Sequence, residues 1–151
     1  MNYLEILTVV FIGWVAGAES GSWSCVHPVI TKLPPNEQIL FQKGLLKTFG
    51  RVMPILMPLS LILLISYYIG IDDKNSIAGY GLLFATVLHT TAIMTTVLFN
   101  VPVNMATGKW ADGKYNSDWN KKRKLWRFFQ GYRAIVFVVV FIILVVLISN
   151  R

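Results

Sequence analysis

Four long apolar stretches, at about residues 5–27, 52–71, 78–101 and 128–149, alternate along the chain with short polar segments. Each is long enough to cross ~30 Å of hydrocarbon at ~1.5 Å of helical rise per residue. Nothing remains for a separate soluble domain. The pattern predicts an all-α protein, one domain over residues 1–151, folded as an antiparallel four-helix transmembrane bundle. Between the first two spans, Phe41, Leu45, Leu46 and Phe49 recur at helical spacing against Lys43 and Lys47. That stripe predicts a short amphipathic helix in the membrane interface, capped by Asn36 after two prolines. Before the fourth span, the segment SDWNKKRKLWRFFQGYRA is expected to run unbroken into it from an N-cap at Ser117 or Asp118.

Composition agrees with this reading. Hydrophobic residues make up 55% of the chain and charged residues only 14%, with mean hydropathy +0.59, which excludes an ordinary soluble domain. The single cysteine, Cys25, excludes an internal disulfide framework and offers no thiolate metal motif. A net charge of +7 suggests nucleic acid at first sight, but its placement argues against that. Lys32, Lys43, Lys47 and Arg51 fall in the first connection, and Lys109, Lys114, Lys121, Lys122, Arg123, Lys124 and Arg127 in the third. The second has only Lys74 beside Asp72 and Asp73, and the C-terminus only Arg151. The positive-inside bias therefore predicts an integral protein of a bacterial inner membrane, with both termini on the non-cytoplasmic side. Membrane lipids, anionic headgroups included, are the expected partners, and nucleic acid is not. Ala16-Gly17-Ala18 has the form of a signal-peptidase site, but the start MNYLE carries Glu5 and no cation, so the first span is expected to be retained.

Three charged or titratable residues interrupt the apolar stretches: Glu19, His89 and Arg133. An ionised group in hydrocarbon costs several kcal/mol unless it is paired, and such residues tend to mark sites. Counting inward from Val26 and Phe128, Glu19 lies roughly 10 Å deep and Arg133 about 8 Å, at 1.5 Å per residue. They are level enough to pair. His89 lies higher, at about 15 Å on the same count. Glu19, Trp23 and His27 share one face of the first span, opposite the ladder Gly13, Gly17 and Gly21. That ladder is a surface for close helix approach, in this chain or in a homo-oligomer.

His27-Pro28 ends the first span, and Pro54 and Pro58 predict kinks on one face of the second. His89, Thr96, Asn100 and Asn104 form one stripe of the third span, with Pro102 freeing the carbonyl of Leu98. In the fourth, Trp119, Arg123, Trp126, Gln130 and Arg133 share a face. The polar groups thus outline a funnel opening toward the cytoplasmic leaflet, with His89 at its apex. The expected catalytic residues are Glu19, His89 and Arg133, and the expected ligand-binding residues are Trp23, His27, Asn100, Asn104, Trp126 and Gln130. Glu19 or His89 is expected to take a proton from a phenol or activated CH₂, since desolvation raises a carboxyl pKa towards neutrality, and Arg133 and Asn104 are expected to stabilise the oxyanion.

These motifs resemble the small four-span anthrone oxygenase-like family along nearly the whole chain. The resemblance rests on the Gly-rich first span entering Val26-His27-Pro28, on Pro54, on Asn100-x-Pro102-x-Asn104, and on Trp126 to Arg133. Relatives often carry Trp-x-x-x-His-x-x-Arg at the last of these, where this chain has Gln130. The resemblance implies the fold, and it implies oxidation of a small lipophilic aromatic or quinone-like molecule without metal or flavin. Two alternatives stay open. One is a non-catalytic membrane subunit or lipid-binding module, with the Glu–Arg pair fixing helix register. The other is a haem, copper or iron oxidoreductase. Haem on His27 and His89 is opposed by their depth difference of roughly 10 Å or more, whereas a metal on Glu19, His27 and His89 requires a break near Pro28.

Overall fold

The computed structural model describes residues 2–110 and 117–150. Four helices account for the apolar stretches: α1 (Tyr3–Ile30), α2 (Pro35–Gly70), α3 (Ile77–Lys109) and α4 (Trp119–Ser149). Their lengths of 28, 36, 33 and 31 residues correspond to about 42 Å or more, well beyond the hydrocarbon thickness of ~30 Å. Among the described residues there is no strand. Successive helices pack side by side and α4 closes the ring against α1, so α1 faces α3 across the bundle and α2 faces α4. Lys114 and Arg151, part of the expected charge bias, lie outside the described residues.

Local chemistry sets the helix ends. Asn2 and Glu5 form a capping box on α1, with each side chain bonded to the other's backbone N–H at 2.9 and 3.0 Å. Ser76 caps α3 through the Gly79 N–H at 3.1 Å. At the C-terminus of α2 the Lys74 ammonium donates to the carbonyls of Tyr68, Ile69 and Ile71, which the helix leaves without donors. Asp118 stands at the N-cap of α4, one of the two expected positions, with its side chain paired to Lys122 at 2.8 Å.

The amphipathic segment between the first two spans is helical, but it is not a separate element. Pro34 holds the N-cap position and Pro35 the first turn, so Asn36 lies inside the helix instead of capping it. From there α2 continues through Pro54 and Pro58 to Gly70. The segment buries Ile39 and Gln42 against the bundle and leaves Phe41, on the expected stripe, exposed, and that tertiary packing carries the helix straight on across the interface.

The dry core fills the half of the bundle nearer the termini, where Ile12, Val15, Leu64, Leu82, Phe137 and Leu144 are fully buried. Facing outward, Ile55, Ile62 and Ile69 on α2 and Ile135 and Ile142 on α4 are more than half exposed. A ring of large apolar side chains on the outside is the surface of a protein solvated by lipid. This is an integral membrane protein.

The glycine ladder divides. A Cβ on Gly13 would come within 2.9 Å of the Phe141 ring, so this glycine admits α4 of the same chain, whereas Gly17 and Gly21 have nothing within 4 Å. Gly79 is the tightest position. A Cβ there would run into the backbone of Lys74, with its carbonyl carbon at 2.6 Å. Gly79→Ala is therefore expected to lower the unfolding midpoint in detergent, by an amount equivalent to about 2 kcal/mol. Gly17→Ala, on an open helical face, should leave it unchanged or raise it slightly. Equal effects of the two would contradict this packing.

Candidate functional site

Glu19 and Arg133 meet. The Glu19 carboxylate is 1% exposed, and its Oε2 accepts from Arg133 Nη2 at 2.7 Å, Arg133 Nε at 3.0 Å and Gln130 Nε2 at 2.8 Å. Arg133 Nη2 also donates to Gln130 Oε1, and Nη1 donates to Thr96 Oγ1 at 2.9 Å. The guanidinium therefore ties α4 to α1 and α3 at one level. The other carboxylate oxygen, Oε1, is buried without a hydrogen-bond partner.

A second polar group lies nearer the α2–α4 helix starts. Asn104 Oδ1 accepts from Trp126 Nε1 at 2.9 Å and from Gln42 Nε2 at 3.0 Å. Gln42 Oε1 accepts from Arg123 Nη1 at 2.6 Å, and His27 Nδ1 lies 3.1 Å from Arg123 Nη2. The His27 ring sits edge-on to Trp126, with centroids 4.8 Å apart. Asn100 Nδ2 donates to the Trp126 carbonyl at 3.0 Å.

Two π-turns bring these residues into line. Over Ser22–Val26 the chain widens so that the His27 N–H reaches the Ser22 carbonyl, and over Thr96–Asn100 the Val101 N–H reaches Thr96. Each turn is followed at once by a proline, Pro28 or Pro102, whose ring and missing N–H disfavour the ordinary ladder. In an unbroken α-helix, residues eight apart diverge by about 80°. One extra residue in the turn reduces that to about 20°. Glu19 and His27 thus return to one face of α1, and Thr96 and Asn104 to one face of α3.

Between these groups and α2 lies a cavity of about 600 Å³. Glu19, Gln130, Arg133, Trp126, His27 and Asn104 contribute its polar wall, and Leu45, Leu46, Phe49, Met53, Met57 and Ile93 its apolar one. Gly50, Pro54 and Pro58 on α2 and Val97, Val101 and Met105 on α3 line it while also being exposed. The cavity therefore opens sideways, through the seam between α2 and α3, in the half of the bundle where the basic segments lie.

Some expected site residues lie elsewhere. His89 is fully buried beneath the cavity, its Nε2 3.0 Å from Ser60 Oγ and its ring 4.8 Å from that of Phe137, and it does not line the cavity. Trp23 packs across Gly131, where an added Cβ would lie 2.7 Å from its Nε1. Among the described residues no three His, Cys, Asp or Glu side chains converge as a metal would require. The ligand set Glu19, His27 and His89 does not assemble: Glu19 is bonded to Arg133 and Gln130, His27 lies against Arg123, and His89 faces Ser60. Gln42, Thr96 and Arg123 were not among the expected site residues. Arg123 and Thr96 lay on the polar stripes of their helices, and Gln42 on the amphipathic segment.

A sequence model of the anthrone oxygenase family matches residues 44–143, about two-thirds of the chain. The match includes Asn104, Trp126, Gln130 and Arg133, while Glu19 and His27 precede it. No curated protein and no solved structure matches.

The Glu19–Arg133 pair is open to a direct energetic test. Removing one partner strands a buried charge, at a cost of about 3–5 kcal/mol. Glu19→Gln and Arg133→Gln should each lower the unfolding midpoint in detergent, and the double variant should lose far less than their sum. Strictly additive losses would show that the two groups stabilise the bundle independently.

Proposed function

The chain belongs to the anthrone oxygenase family, and from that premise we propose that its lateral cavity binds a lipophilic aromatic ketone or phenol and oxygenates it without a resident cofactor. The observation that carries this reading is Glu19 Oε1, a buried and unpartnered carboxylate oxygen on the polar wall of an otherwise apolar cavity. Such an atom lacks a donor that a substrate can bring.

In this reading the substrate slides in from the lipid between α2 and α3, its flat rings against Phe49, Met53 and Met57. Its carbonyl or phenol oxygen turns to the polar wall, where Arg133, Gln130 and Asn104 are the donors nearest to hand. Glu19 Oε1 removes a proton from the activated CH₂, and the negative charge spreads onto the oxygen held by those donors. Molecular oxygen adds to the carbanion to give a peroxide. Loss of water from that peroxide turns the CH₂ into a carbonyl, so one oxygen atom enters the product and the other leaves as water. Both hydrogens of the CH₂ leave the carbon, and oxygen is the only oxidant. The reading assigns the proton transfer to Glu19 rather than to His89, which faces Ser60 and Phe137 in the core.

A non-catalytic role is favoured by a different observation: Arg133 bonds α4 to both α1 and α3, which is what a register lock requires. The two readings separate in one assay. Protein reconstituted in liposomes is supplied with a hydroxylated anthrone under ¹⁸O₂, and labelled anthraquinone is measured. The oxygenase reading expects turnover above empty liposomes and a loss of about 10²-fold or more in Glu19→Gln at equal folded content. No turnover, or an undiminished rate in that variant, would leave the structural role.

A further inference from the structure

Arg123 is a second buried guanidinium, and no anion among the described residues pairs with it. It is 5% exposed, yet among the described residues it meets no carboxylate. Its Nη atoms are engaged by Gln42 and by His27 Nδ1, both uncharged acceptors, and Nε has no partner. The guanidinium also lies over Trp126 at 4.7 Å and Trp119 at 5.7 Å. Ring faces and neutral acceptors offset part of the desolvation of a charge that cannot shed its proton, but they do not neutralise it.

The neighbouring surface repeats the sign. A second cavity, of about 560 Å³, is lined by Arg123, Lys121, Lys124 and Arg127 of α4, with Asn120, Thr31 and Gln38. Lys121, Lys124 and Arg127 are exposed and spaced three apart, so they follow one side of the helix. Among the described residues no acidic side chain lines this cavity. Asp118 pairs through Oδ2 with Lys122, and neither residue lines this cavity. Four cations around one concavity, one of them buried and uncompensated, leave an anion as the missing component.

We propose that this cavity is a binding site for a phosphate group, carried by a phospholipid headgroup or by a soluble phosphate. Arg123 forms its positive floor. The mobile ammonium groups of Lys121 and Lys124 and the fork of Arg127 close on the phosphate oxygens, and the exposed Asn120 amide adds a neutral donor. The site does not depend on the reaction proposed above. It is linked to the main cavity, because His27 and Gln42, which hold Arg123, line that one. Occupancy of one is therefore expected to alter affinity in the other, and the effect must be reciprocal.

The test uses the full chain, with thermal unfolding as the readout. In a non-ionic detergent and phosphate-free buffer, sodium phosphate is titrated against sodium chloride of equal ionic strength. In parallel, protein in phosphatidylcholine nanodiscs is compared with protein in nanodiscs containing a minority of phosphatidylglycerol. The variant is Lys121→Gln/Lys124→Gln/Arg127→Gln, whose exposed side chains can change without disturbing the core. The control is Lys47→Gln/Arg51→Gln, two exposed cations on α2. The expected result is a rise in midpoint with phosphate or with phosphatidylglycerol. The triple variant should need about tenfold more anion for the same rise, and the control should behave like the native chain. A rise with phosphate in detergent assigns a soluble ligand, and a rise with phosphatidylglycerol alone assigns a lipid headgroup. No rise above the chloride and phosphatidylcholine references, an undiminished rise in the triple variant, or equal losses in triple variant and control would each overturn the site.

Discussion

A carboxylate and a guanidinium, each too costly to leave alone in hydrocarbon, set the geometry of this bundle. Glu19 lies on α1 and Arg133 on α4, and their bond fixes the axial register of the two helices. Through Thr96 the same guanidinium positions α3. Apolar packing alone would tolerate sliding by a turn, since lipid and leucine differ little as neighbours for an aliphatic side chain. The ion pair removes that freedom. It divides the bundle into a dry half, filled by residues such as Leu82 and Phe137, and a half whose interior is polar along one wall.

The polar wall depends on a backbone departure as much as on side chains. With ordinary α-helical turns, His27 would swing away from Glu19 and Asn104 away from Thr96. The π-turns ahead of Pro28 and Pro102 correct both. Two diagonal helices therefore present their polar residues to the same interior space, and the prolines that enforce this sit on the outside, exposed. Both widened turns lie at the cavity, whose lining includes Ser22, Thr96 and Val97.

Charge in the molecule falls into two regimes. Arg133 is compensated by an acid in the chain, and the outcome is a rigid tie between helices. Arg123, ten residues earlier on α4, is compensated by aromatic faces and neutral acceptors only. The charge of the first is balanced within the chain, while the second calls for an anion from outside. Gln42, Asn104 and Trp126 link Arg123 to the wall of the main cavity through one chain of hydrogen bonds, so a change at that cation is transmitted to that wall.

The sequence by itself determined the four spans, their order and the near-level depth of Glu19 and Arg133, because hydropathy and helical rise are local quantities. It also determined that Arg123, Trp126, Gln130 and Arg133 share one side of α4, since no proline interrupts that helix. The rest needed the tertiary structure. That the amphipathic segment continues into α2 was not legible in it, because what carries the helix on is the burial of Ile39 and Gln42 against other helices. His89 matched the stripe of Thr96 and Asn104 in periodicity, yet it lies about two turns deeper than Thr96, beneath the cavity and in the core beside Ser60. Trp23 matched the face of Glu19 but fills the gap over Gly131 on α4. Which polar residues shared a depth could be read from one dimension; which of them touch was decided by turns of the backbone that widen by one residue and by the helices that close around them.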